Sequence, residues 1–334
     1  MDKKEETLQE QVGLVVRALR ADLESIRELA IAQLSLFGPK ATPYLIAALD
    51  KALEESEQIK EKRYTDYRYR NPILSPEYEI SGILRTFWFT SDSSTIPSIV
   101  KAFPRREAVF ALGRIGTVEA LNTMITTIPQ WYKPRNKFEN LCEDEDINTV
   151  FSYFGKEKGT QLRNYLEKTD SETKVKIMRI LSLLSDAASI KITLDQLKNK
   201  NLKVKIEAAQ TLRKFKAKEA VPQLMDELFK VSDRIGDNRR ASHLTPVMRE
   251  LCEAITDLGE LEEWVKIASH RPDINNWRIH AKIINSGEAA LPSLMNLLNS
   301  SDKSVHLMSA GMIAKIKRGE IVPEIEPRVY GKNY

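Results

Sequence analysis

Apolar residues recur along this chain at three- and four-residue spacings, the period of a helix with one buried stripe. Two kinds of segment alternate. The first opens on a small residue, an apolar or hydroxyl residue and a proline: Ala41-Thr42-Pro43-Tyr44-Leu45, Thr95-Ile96-Pro97-Ser98-Ile99, Ala220-Val221-Pro222-Gln223-Leu224 and Ala290-Leu291-Pro292-Ser293-Leu294. Proline suits the first turn of a helix, where its missing N–H has no partner to lose. The second kind carries a small residue in the middle of its apolar stripe, as in Val204-Lys205-Ile206-Glu207-Ala208 followed by Leu212, and in Arg105-Arg106-Glu107-Ala108 followed by Leu112 and Gly116. The alanine lets a neighbouring helix approach, and a glycine after the last apolar residue is a C-cap signal.

This alternation predicts about nine helical hairpins. Their first helices are expected at 5–20, 40–58, 94–102, 117–128, 158–168, 187–198, 217–231, 260–269 and 288–299. Their second helices are expected at 22–36, 77–90, 104–115, 147–155, 171–184, 202–215, 245–258, 273–285 and 302–317. Between members of a pair fall three long connections, 59–76, 129–146 and 232–244. With these removed, the repeat is a unit of roughly 30 residues, which points to a solenoid rather than a closed globule. The expected fold is all-α, an α-solenoid over residues 1–320 with a C-terminal tail at 321–334.

Arg106-Glu107-Ala108-Val109-Phe110-Ala111-Leu112-Gly113-Arg114-Ile115-Gly116 resembles the short HEAT-like repeat shared by bilin lyases and many bacterial and archaeal scaffold proteins. In degraded form the resemblance extends over most of residues 22–317. It implies a helical superhelix whose second helices line the concave face. That placement would align Arg27, Arg105, Lys176, Lys205, Arg278 and His306 in a basic column, acting either as a ladder of ion pairs between repeats or as a ligand-facing stripe.

Composition narrows the function without naming it. The 334 residues carry 51 basic and 47 acidic groups, a net charge of +4, which is modest for a nucleic-acid binder. The two cysteines, Cys142 and Cys252, form no disulfide framework or metal-ligand spacing. No apolar run has the length to span a bilayer, and a reducing cytoplasm is the expected compartment. There is no glycine-rich phosphate loop, GxSxG elbow or HExxH motif, so neither an enzyme nor a cofactor is expected. His243, His270, His280 and His306 are scattered, with only His280 and His306 on successive second helices. Trp88, Trp264 and Trp277 are expected in the core, and Lys205 in solvent.

The three connections hold the candidate binding residues: Arg63, Tyr64, Tyr67, Arg68, Tyr69 and Arg70 in the first, Trp131 and Tyr132 in the second, and Arg239 and Arg240 in the third. Tyr, Trp and Arg dominate binding hot spots. If all three connections leave the same kind of turn, these residues share one rim. The acidic run Glu143-Asp144-Glu145-Asp146 is expected as a solvated helix start, favoured by the helix dipole. The expected activity is a non-enzymatic scaffold for a protein or peptide. The alternative is a nucleic-acid binder of the kind seen in HEAT-like DNA glycosylases, although no catalytic acid can be placed; bilin lyase-like activity rests on the repeat type alone.

Overall fold

A computed structural model describes residues 3–65, 76–90, 92–132, 142–237, 241–270 and 277–324. Among these residues the protein is all-α, with no sheet and one bridge pair, Tyr132 with Cys142. It is a HEAT-like α-solenoid in class, built of paired helices, and divides into two compact units, 1–169 and 170–334.

The first unit contains α1 (Lys3–Ala18) with α2 (Glu24–Leu36), α3 (Thr42–Thr65) with α4 (Pro76–Thr90) and α5 (Ile96–Lys101) with α6 (Arg106–Ile115). These are followed by α7 (Val118–Thr126), a one-turn helix α8 (Ile128–Trp131), α9 (Asp144–Phe151) and α10 (Glu157–Lys168). The second unit runs α11 (Ser171–Leu183), α12 (Ile190–Gln196), α13 (Leu202–Lys214), α14 (Val221–Asp237), α15 (Thr245–Leu258), α16 (Leu261–His270), α17 (Trp277–Asn285), α18 (Leu291–Leu297) and α19 (Lys303–Lys317). Every expected helix is present, most within a few residues of its expected ends.

Helix starts take two main forms, and the sequence says why. Pro43, Pro97, Pro222 and Pro292 each follow a short 3-10 turn and sit in the first turn of the next helix. Three second helices, α11, α13 and α19, start on side-chain caps. Asp170 accepts the N–H groups of Glu172 and Thr173, Asn201 those of Lys203 and Val204, and Asp302 those of Ser304 and Val305. At the far end of α6, Gly116 has φ 68° and its N–H returns to the Leu112 carbonyl, a left-handed cap that a side chain would strain.

The stripes bury as the spacing requires. Ala108, Leu112, Ala208 and Leu212 are fully buried, as are Leu45, Leu49, Ile80, Ile83, Leu224, Leu251 and Ile283. In the first unit α2, α4, α6 and α9 pack in succession; in the second, α11, α13, α15, α17 and α19 do the same. At Gly113 the approach of α9 is so close that a Cβ would stand 2.7 Å from the Val150 carbonyl oxygen.

The long connections are shorter than the sequence suggested. α3 continues to Thr65 and α14 to Asp237, beyond the expected ends at 58 and 231. Neither Gly nor Pro interrupts 59–65, so nothing stops the helix there. Residues 128–131 are helical as well, and α9 starts at Asp144. The acidic run does begin this helix, but Asp146 is buried, paired with Arg106, and accepts the Glu143 N–H at 3.1 Å.

Lys205 is not in solvent. It is buried and ion-paired with Glu227, itself buried and approached by Lys230 Nζ at 3.3 Å. Its amine thus reaches from α13 to a carboxylate of α14. Replacing Lys205 with Ala should therefore lower stability by roughly 2 kcal/mol. That is below the ~3–5 kcal/mol for a wholly isolated buried charge, because Lys230 remains. Ala208→Trp, overpacking a fully buried contact, should cost about the same or more. Urea denaturation of both variants checks the pair, and a negligible shift for Lys205→Ala would contradict the buried ion pair.

The cap at Asp170 gives a pH signature. Its carboxyl pKa is lowered from the ordinary 3.8, first by the Thr173 hydroxyl and then by backbone N–H groups of Thr173 and Glu172. A folded pKa below the unfolded one means stabilisation that is present above pH 3.8 and lost as pH falls through the lowered value. Asp170→Ala should cost about 1 kcal/mol at neutral pH. The deficit against wild type should vanish in melts taken well below pH 3.8.

Candidate partner-binding face

Each residue expected in the basic column of the second helices has a partner within its own unit. Arg27 donates to the carbonyls of Ala21 (2.7 Å) and Asp22 (2.9 Å) and lies over the Tyr78 ring. Arg105 grips Glu77 through Nε (3.0 Å) and Nη2 (2.9 Å). Lys176 is buried and meets Glu172 at 3.2 Å. Arg278 bridges Glu253 and Asp257. His306 donates from Nδ1 to the Leu298 carbonyl at 2.8 Å. Arg105, Lys205 and Arg278 thus pair with carboxylates of a neighbouring helix.

The loop candidates divide into three groups. Tyr67, Arg68, Tyr69, Arg70, Arg239 and Arg240 lie outside the described residues. Arg63 and Tyr64 fall in the last turn of α3. Trp131 and Tyr132, expected on an exposed rim, are instead among the largest fully buried side chains. Trp131 Nε1 donates to the Met124 carbonyl at 2.9 Å, its ring lies 6.4 Å from Phe151, and the Tyr132 hydroxyl bonds Asp144 at 2.5 Å. The rings fill space beside α7 and α9, and each polar tip finds an acceptor, the usual condition for burying Trp and Tyr.

Trp88, Trp264 and Trp277 are half-buried rather than core. Each indole N–H reaches a backbone carbonyl: Glu107 at 3.3 Å, Ile255 at 3.3 Å and Pro323 at 2.7 Å. Trp88 belongs to a surface that the sequence reading missed. Glu28 of α2 takes both Nη groups of Arg85 of α4, at 2.5 and 2.8 Å. The Arg85 guanidinium stands 5.9 Å from the Trp88 ring, and Trp88 lies 5.7 Å from Phe110 of α6. Arg106 stacks 5.3 Å over Phe110 and pairs with Asp146 of α9. At its ends, Arg27 covers Tyr78 at 4.4 Å, and Arg114 covers Tyr153 at 4.8 Å while donating to its hydroxyl at 2.9 Å.

This row crosses α2, α4, α6 and the turn after α9 within one unit. It is legible only when the off-stripe positions are read together. Arg106, Phe110 and Arg114 are four residues apart on the face opposite Val109 and Leu112, and Tyr78, Arg85, Trp88 and Phe89 share a face of α4. Phe89 is 59% exposed, and Tyr78 and Tyr153 are each 39% exposed. The Glu28 carboxyl is held below the usual range, first by its bond from Arg85. Asp146 holds the Arg106 guanidinium firmly protonated. Four arginines face three carboxylates, Glu28, Glu107 and Asp146, so the row is nearly neutral.

A separate open cleft of ≈ 840 Å³ lies beside α3, lined by Asp50, Glu54, Glu57 and Glu77 with Lys101 and Arg105. Its two cations are taken up by Asp50 and Glu77. His280 is largely buried, and that burial, followed by the charge of Lys315, lowers its pKa. Cys142 and Cys252 are buried, and burial raises the Cys142 thiol pKa far out of the reactive range. Among the described residues no group of three or more His, Cys, Asp or Glu is placed to hold a metal ion, and no helix is long and apolar enough to cross a membrane.

Residues 104–126, which span α6 and α7, match the family model described as PBS lyase HEAT-like repeat. The repeat type is therefore HEAT-like, as the motif at 106–116 suggested. No curated protein matches the chain. Two solved structures of engineered proteins are similar: one is 15% identical over 95% of this chain and 97% of that chain, with a TM-score of 0.31. The other is 16% identical over 92% of this chain and 97% of that chain, with a TM-score of 0.28.

The burial of Trp131 has a direct consequence. Trp131→Ala should cost about 3–5 kcal/mol, as truncating a buried aromatic does. A melting curve within a degree or two of wild type would mean that the ring is on the surface after all.

Proposed function

We propose that the chain is a non-enzymatic scaffold that binds a protein or peptide on the arginine–aromatic face of α2, α4, α6 and α9. The observation that carries this reading is the exposed Phe89 beside a stacked row, Arg85–Trp88–Phe110–Arg106. Stacked and ion-paired side chains are already ordered, so a partner docking on them pays less in lost rotamer freedom. Arg and aromatic residues are also the types that concentrate binding energy.

A nucleic-acid partner is the second reading, because bases stack on aromatic rings and guanidinium planes. The near balance of charge in the row favours protein, since phosphate binding draws on unpaired cations.

The test is capture from a lysate of the source cells by wild type and by a Phe89→Ala/Tyr153→Ala variant, each with and without nuclease. Both positions are exposed, so the variant's stability should stay within about 0.5 kcal/mol of wild type. Loss of each hot-spot ring should weaken binding by about 2 kcal/mol, roughly thirtyfold. The expected result is a nuclease-resistant set of proteins retained by wild type and lost by the variant. Equal retention by both would refute this face, and loss on nuclease treatment would favour nucleic acid.

A further inference from the structure

After α19 the chain turns at Gly319, whose φ of 69° is the left-handed conformation that glycine adopts without strain. Residues 321–324, which belong to no helix or strand, then lie against α17. Among the described residues this segment makes no backbone-to-backbone hydrogen bond; side chains of α17 hold it. Asn285 grips the backbone of Val322 from both sides: Nδ2 donates to the Val322 carbonyl at 2.8 Å, and Oδ1 accepts the Val322 N–H at 2.9 Å. Trp277 Nε1 donates to the Pro323 carbonyl at 2.7 Å. Lys282, stacked on Trp264 at 5.5 Å, meets Glu324 at 3.4 Å. The Val322 side chain is buried while Ile321 before it is 88% exposed.

We propose that this face of α17 is a peptide-docking site, occupied here in cis, that receives an extended segment of a partner protein with the pattern aliphatic–Pro–acid. Trp277, Ala281 and Asn285 lie four residues apart on one face of α17, so the grip is built into a regular helix. An amide that pairs with both backbone groups of one residue recognises any extended chain, whatever it is attached to. Selectivity then comes from three further features. The Val322 pocket takes one aliphatic side chain. Proline next to it biases that residue to the extended conformation and brings no N–H needing a partner. Lys282 takes the acid. The resident segment acts as a tethered competitor, at the millimolar effective concentration of a short linker. The site is independent of the arginine–aromatic face, and either can fail without the other.

The test uses the full chain and a fluorescein-labelled peptide, Glu-Ile-Val-Pro-Glu, followed by fluorescence anisotropy. Val322→Asp ejects the resident segment and leaves α17 intact. It should bind the peptide at least about tenfold more tightly than wild type, as release from a tethered competitor implies. Adding Asn285→Ala should abolish that binding. A folded Val322→Asp chain with no gain overturns the proposal, as does equal destabilisation by Val322→Asp and Asn285→Ala without any peptide binding, which would make the segment a structural strap alone. If Val322→Asp fails to fold, a charge swap decides. Lys282→Glu should reverse preference from the peptide ending in Glu to one ending in Lys, and an unchanged preference overturns the proposal. A concentration-dependent dimer of the wild-type chain that Asn285→Ala dissolves would place a second copy's segment there, and would likewise overturn the partner reading.

Discussion

A helical hairpin of this length cannot bury its own apolar stripe, so each second helix must be covered by the second helices on either side of it. α6 illustrates the demand. Ala108, Val109, Ala111 and Leu112 are all fully buried, more than α5 alone could cover, and α4 and α9 supply the remainder. The close approach this requires sets residue size. Gly113 has no room for a Cβ against Val150, and Ala208 takes the same role between the neighbours of α13. Stacking of this kind makes stability a sum of neighbour contacts, which is the physical basis of a repeat protein.

Charge follows packing rather than leading it. Once second helices stand side by side, basic groups near their starts come within reach of carboxylates on adjacent helices. Arg105 with Glu77, Lys205 with Glu227 and Arg278 with Glu253 and Asp257 are three instances. Arg20 does the same at the start of the chain, joining Glu55 of α3 and Glu79 of α4. Such pairs add little where they are exposed, but breaking a buried one strands a charge. They tie neighbouring helices together within each unit.

The surfaces we propose for binding are those that stacking does not consume. In the first unit they are the outward positions of α4 and α6, where arginines lie on aromatic rings. In the second unit it is the outward side of α17, where an asparagine, a tryptophan and a lysine hold a segment of the same chain. Both are helix faces rather than loops, which gives them fixed geometry at no further cost in ordering.

The helices and their order were legible in the sequence. Prolines after a small residue, Asp and Asn caps, and alanines within the stripes are local signals tied to backbone geometry, and they located the helices, most to within a few residues. The connections were not legible to the same degree, because nothing in 59–65 says whether a helix former continues a helix or leaves it, and α14 runs on through Gly236, an ordinary helix breaker. Residue type alone likewise misplaced Trp131, Tyr132 and Lys205. An aromatic ring or a long amine is compatible with rim or core until the neighbouring helix supplies, or withholds, a carbonyl or carboxylate to satisfy its polar tip. For Trp131 that acceptor is the Met124 carbonyl, and for Lys205 it is Glu227 on the next helix. Spacing along one chain determines which residues share a face; only the packing of separate helices decides which faces remain open and which charges are already spent.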